Sequence, residues 1–239
     1  MRQKHSRQKH KVRRGGATLW LTLLLPLAAA AQVGSTSLAA GRVLIADKDL
    51  HDPHFQQTVI VLLSYDEGDG AGGVILNRPS EIPVSQALKE LPEARSNRNP
   101  AYEGGPVQTR RVLALLRTSA KLDGADEVIP GIYSVGTTKL LRKALAEKMD
   151  LRVFAGYAGW GPGQLEAEVD AGAWHVERGA AAMVFDDDPE SMWQRLIRKL
   201  DRQIARVGLE YKNARFNAPG GGSVSAHRFL RQVAAARGD

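Results

Sequence analysis

No cysteine occurs anywhere in the 239 residues. That excludes disulfides, cysteine nucleophiles and thiolate metal sites, and it suits an exported chain without requiring one. Hydrolase signatures are missing as well: there is no Gly-x-Ser-x-Gly and no His-Glu-x-x-His, and beyond residue 31 the imidazoles are His51, His54, His175 and His227. No Gly-Lys-Ser/Thr ending marks a phosphate loop, and the three-glycine dinucleotide spacing is not met. No helix-turn-helix, zinc module or internal repeat accompanies these absences. No catalytic residue, metal site or cofactor is therefore assigned.

A long apolar run is lacking too. "ATLWLTLLLPLAAAA" spans Ala17 to Ala31, and as a helix it would reach only about 22 Å at ~1.5 Å per residue, short of a hydrocarbon core of roughly 30 Å. It follows Arg2, Lys4, Arg7, Lys9, Lys11, Arg13 and Arg14, with small residues at Ala29 and Ala31. The pattern reads as a secretory leader over residues 1–31, not a permanent membrane anchor, with a small, polar linker over 32–40. Those seven basic residues account for the whole formal charge of +7, so the remainder balances at 26 Lys and Arg against 26 Asp and Glu. The basic pI is then no argument for nucleic acid, which is not expected as a partner. Residues 191–239 nevertheless hold 10 basic against 3 acidic side chains, a local basic surface.

The mature length suits one core. "RVLIAD" from Arg42, "TVIVLLSY" from Thr58 and "GGVILN" from Gly72 are short apolar runs closed by turn residues, hence buried strands, the last two paired antiparallel. "VSQALKEL" over 84–91 predicts a helix stopped by Pro92. "RVLALLRT" and "GIYSVG" predict strands, and an amphipathic helix begins at Thr137. Strands are expected at 151–157, 174–177 and 182–185. The last long helix has Asp188 as its cap, Pro189 at its first position, and Trp193, Leu196, Ile197, Leu200, Ile204 and Val207 as its apolar stripe. Its opposite side is basic. A solvated face is the preferred reading, with an anionic membrane surface or nucleic acid as alternatives. Residues 213–239 read as a flexible basic tail.

Four blocks in order, "DLHDPHF" at 49–55, "GGVILNRP" at 72–79, "YEGGPVQ" at 102–108 and "GYAGWGPGQLEAE" at 156–168, resemble the YqgE/AlgH family (UPF0301, DUF179). The resemblance implies an α/β fold over 41–212: a single compact domain whose mixed, mainly antiparallel sheet forms a bulged, partly open barrel with surrounding helices. It names no reaction. The label of transcriptional regulator that travels with the family derives from a genetic link to alginate production. The chain departs from the family pattern in its leader, in Arg110, Arg111, Val112 and Leu113 after the "GGPVQ" block, and in a longer, more basic C-terminal end.

Two readings of "GYAGWGPGQLEAE" stay open. In one the glycines serve geometry, Trp160 plugs the core and Gln164 bonds a neighbouring loop. In the other the loop rims a ligand groove lined by Tyr157, Trp160, Gln164 and Glu166, joined by Asn77, Arg78, Gly104 and Gly105. Glu166 and Glu168 lie two apart on a helix, on different faces, and make a poor acid/base pair. In "DKDLHDPHF" a polar loop with Asp52 capping a turn is preferred to a metal site at Asp47, Asp49, His51, Asp52 and His54. The expectation is an exported, non-enzymatic domain that binds a small ligand or protein partner at the glycine-loop rim. An enzyme of unknown class at that rim, or a cytoplasmic regulator if the leader is not used, are the alternatives.

Overall fold

The structure is a computed structural model and describes residues 37–217. The leader, most of the linker and residues 218–239 lie outside the described residues. Ten strands form one sheet: β1 (Arg42–Ala46), β2 (Val59–Asp66), β3 (Gly70–Ile75), β4 (Pro79–Pro83), β5 (Pro100–Glu103), β6 (Val107–Arg117), β7 (Asp126–Ile129), β8 (Ile132–Val135), β9 (Asp150–Trp160) and β10 (Trp174–Arg178). Their order is β10-β1-β2-β3-β9-β6-β8-β7, with β5 joined to β9 and β4 to β5. All pairs are antiparallel except β5 with β9. The helices are α1 (Val84–Ala87), α2 (Thr138–Ala146), α3 (Gln164–Asp170), α4 (Ala181–Val184) and α5 (Met192–Asn217).

Continuous apolar runs arise because the sheet is buried on both faces. In β1 and β2, Val43, Ile45, Val59 and Val61 enter one cluster, whereas Leu44, Ala46, Ile60 and Leu62 enter another. The first cluster also holds Val128 and Ile129 from β7, the far end of the strand order, so the sheet curls around it into a half-barrel. Val184 of α4 and Met192 and Ile197 of α5 fill the inside of the curl. Outside, α2 covers one end with Leu141, Ala144 and Leu145, and α3 covers the other with Leu165. The two ends of the sheet meet at glycines: a Cβ on Gly41 would lie 2.2 Å from the Val128 carbonyl oxygen, and one on Gly179 would lie 2.7 Å from Ile129 Cδ1.

Several expected elements differ. Strand β9 runs through Trp160, so residues 156–160 are strand and the turn is confined to Gly161–Gly163. Residues 182–185 are not a strand: α4 makes one helical turn there, closed by a bond from Phe185 N–H to the Ala181 carbonyl. A four-residue apolar run has too little length to distinguish the two periods. The 84–91 helix shrinks to α1 and is followed by a 3-10 turn at Pro92–Ala94. Strands β4, β5 and β7 are additional, and Ala101 and Tyr102 of β5 are buried. Helix α5 extends to Asn217, into the segment read as tail.

Candidate functional site

The eight expected rim residues fall into three neighbourhoods. In the first, the connection after β5 crosses β9 with backbones in contact. A Cβ on Gly104 would lie 2.2 Å from the Gly156 carbonyl oxygen, one on Gly105 2.3 Å from the Tyr157 carbonyl carbon, and one on Gly156 2.4 Å from the Gly105 carbonyl oxygen. Gly156 has φ +73°, so glycine is required twice over. Gly104 also donates to the Ala155 carbonyl at 2.8 Å. Tyr157 is half-buried beneath the guanidinium of Arg111, 6.0 Å from its ring centre.

The second neighbourhood is a satisfied polar and aromatic cluster. Trp160 is 5% exposed and contacts Phe55 and Trp174, each at 6.0 Å between ring centres. Glu168 Oε2 accepts the indole N–H of both Trp160 (2.9 Å) and Trp174 (2.8 Å), and Glu168 Oε1 accepts from Gln164 Nε2 at 2.9 Å. Gln164 Oε1 in turn accepts from Gly161 N–H at 3.1 Å, inside its own turn. Glu166 accepts from the Tyr65 hydroxyl at 2.7 Å, and that bond, with burial and nearby carboxylates, pushes the Tyr65 phenol up to about 12. Glu168, the centre of the cluster, is assigned no such role by its sequence position. Trp160 and Trp174 converge on it only through the sheet.

Asn77 and Arg78 form the third. Asn77 is buried, accepts from Val59 N–H at 2.8 Å and donates to the Gln57 carbonyl at 2.9 Å. Arg78 donates to the carbonyls of His54 (2.7 Å) and Gln56 (3.3 Å). Together they clamp the 52–57 turn, in which Asp52 Oδ1 accepts from His54 and Phe55 N–H groups. His51 Nδ1 lies 2.6 Å from the Asp49 carbonyl. Asp47 bonds His175 Nε2 at 2.8 Å. Burial alone would raise the Asp47 carboxyl, but the Asp49 N–H and His175 hold it below its ordinary value.

An open cleft of about 520 Å³ lies elsewhere, and none of the eight residues lines it. It is bounded by Tyr102 of β5, Arg117 of β6, Asp150 and Arg152 of β9, and the segment Phe185–Glu190 between α4 and α5. Arg152 is the floor. Its guanidinium lies 4.7 Å from the Tyr102 ring centre and 5.7 Å from that of Phe185, and it donates through Nη2 to the Asp186 carbonyl. Nη1 is buried without an acceptor; the ring faces supply the compensating negative potential. Burial lowers the Arg152 pKa and raises that of Tyr102. Arg117 lies 4.6 Å over the Phe185 ring and pairs with Asp150. Arg195 ties Asp186 at 2.7 Å, and Asp188 holds Ser191. Asp187 and Glu190 are exposed and make no hydrogen bond or ion pair among the described residues. A second cavity of about 490 Å³ adjoins at Asn99 and Leu151.

The fold defines a class, the curled α/β half-barrel closed from inside by helices. Two solved structures share it: a protein from Corynebacterium diphtheriae (TM-score 0.58, 24% identity, covering 68% of this chain and 87% of that one) and the AlgH protein from Pseudomonas aeruginosa, UPF0301, solved in solution (TM-score 0.54, 29% identity, 77% and 95%). The family profile described as AlgH-like, DUF179, matches residues 43–205, and the chain belongs to that family. A UPF0301 protein of Chlorobaculum tepidum is 38% identical over 165 residues, 67% of this chain and 86% of that protein. One of Streptomyces avermitilis is 37% identical over 180 residues, 72% and 91%.

Proposed function

We propose that this AlgH-like chain is an exported binding domain with no enzymatic step, and that its ligand enters the cleft beneath Phe185–Glu190 carrying a cationic group. The partition of charge in that cleft supports the reading. Arg117 is paired with Asp150, and Arg152 is engaged by two rings and a carbonyl, whereas Asp187 and Glu190 are exposed with no hydrogen bond or ion pair among the described residues, Asp187 feeling only the charge of Arg152. An ammonium or guanidinium group would complete them. The glycine crossing and the Trp160 cluster are less suited to a ligand, because the backbones of the first already touch and the side chains of the second are bonded to one another.

Spermidine and a lysyl dipeptide, added to the full chain, are expected to raise its melting midpoint. At about a hundredfold excess over Kd the rise would be roughly 5–10 °C for a domain of this size. Acetate and phosphate should not raise it. The double substitution Asp187→Asn and Glu190→Gln should leave the ligand-free midpoint in place and remove the shift. A shift that survives the double substitution, or none with either cation, would reject this cleft as the cation site.

Export is supported by the basic-then-apolar segment ahead of residue 32, which precedes the matched region at 43–205. A reporter enzyme that works only outside the cytoplasm, joined after Ala40, is expected to be active. An inactive fusion that keeps its N-terminus would turn the reading to the cytoplasmic regulator.

A further inference from the structure

Helix α5 packs one face into the domain, and on the opposite face the side chains of residues 198, 199, 202, 205 and 209 are exposed. Met192 and Ile197 are buried, and Trp193, Leu196 and Leu200 pack against the same core. After Leu200 the apolar contact fades, and Ile204 is 49% exposed. The flank is pinned by Lys48, whose Nζ lies 2.6 Å from Asp201. On the side away from the core stand Arg198, Lys199 and Arg202, all exposed and without a hydrogen bond or ion pair among the described residues. Steps of four and seven residues from Arg198 through Arg202 to Leu209 keep these three on one helical face. Leu209 is 61% exposed.

We infer that this face docks on the surface of an anionic lipid bilayer. Three unpaired cations match a layer of phosphate headgroups, and Leu209, exposed beside them, fits the boundary between headgroups and acyl chains. A nucleic acid would meet the cations equally well but would leave Leu209 against phosphates or water, so the apolar residue decides between the two surfaces. The contact is peripheral. Among the described residues no helix is long and apolar enough to cross a membrane.

The absence of cysteine makes the test direct, because a single introduced thiol labels one position. Ala205 is exposed on the same side of α5, and Ala205→Cys in the full chain can carry an environment-sensitive fluorophore while Leu209 is retained. Emission should shift to the blue on adding vesicles of phosphatidylglycerol and phosphatidylcholine, and not with phosphatidylcholine alone. In the same labelled chain, Arg198→Glu, Lys199→Glu and Arg202→Glu together should weaken the response by about tenfold or more, and Leu209→Ser should reduce the blue shift. The probe reports the environment of α5 itself, so membrane contact through the leader does not imitate it. No shift with the anionic vesicles, or a shift that persists after the triple charge reversal, overturns the inference. A response to duplex DNA at equal phosphate, with none to vesicles, replaces lipid by nucleic acid.

Discussion

Trp160→Ala is expected to lower the unfolding free energy by about 3–5 kcal/mol, the range for deleting a large buried aromatic side chain. Trp160 is 5% exposed and closes a triangle of rings with Phe55 and Trp174, which also touch each other, so its removal strips one wall from each ring and leaves a void that the β9 backbone cannot close. The indole N–H is a smaller part, because Glu168 keeps the Trp174 and Gln164 donors when Trp160 is gone. Urea denaturation followed by circular dichroism measures the loss. Glu166→Gln is the contrast: it should leave the denaturation midpoint near wild type, since an amide oxygen still accepts from Tyr65. Removing the negative charge should bring the Tyr65 phenol down from about 12 toward its ordinary 10.0. A Trp160→Ala protein as stable as wild type would mean that the cluster is not core.

Gly156→Ala is expected to cost more than about 4 kcal/mol, beyond the usual range for one substitution. Two effects combine. A φ of +73° is strained for any residue with a Cβ, and the added methyl would sit 2.4 Å from the Gly105 carbonyl oxygen, which belongs to a backbone with no freedom to retreat. Gly163→Ala separates them. Its φ is +71°, but nothing lies within 4 Å of its Cβ position, so only the conformational cost of about 1–2 kcal/mol remains. Equal losses at the two positions, measured by thermal and urea unfolding, would show that the crossing of β9 by the Gly104–Gly105 connection is not tight.

Elements whose identity rests on a local pattern were legible in the sequence. Helix α2 announces itself by its apolar period and by Thr137, whose side chain does accept from Leu140 N–H. Helix α5 announces itself by its apolar stripe, but it begins at Met192 and not at the expected Pro189: Asp188 accepts from Ser191 in the turn that precedes the helix. Strands β2 and β3 are marked by β-branched runs with a turn between them, and they pair as expected. Strands β4 and β5 were hidden because prolines bound them, and proline at a sheet edge resembles a loop. The glycines of 156–161 misled for a related reason. Glycine is read as a turn signal, but here it permits strand β9 to accept another backbone across its face. The curled sheet followed from the family resemblance and not from any period. The cleft could not be read at all, because it is assembled from Tyr102, Arg117, Arg152 and Phe185, which no window of sequence contains. Asn77, Arg78 and Glu168 are plain polar residues in sequence, and only the fold turns them into braces.

Strand β1 has one neighbour close in sequence and one far away: Val43 faces Val61 of β2, whereas Arg42 faces Arg178 of β10. A chain released from the ribosome with its N-terminus first therefore carries β1 half-paired through most of its synthesis, its outer row of amide and carbonyl groups bare until β10 has emerged. Gly41 likewise waits for Val128 before the curl can shut. Long separations of this kind slow folding, because the closure entropy precedes the contacts that offset it. Under the export proposed above this delay would be an advantage: the half-made barrel stays open, and an open chain is the one that can still be threaded.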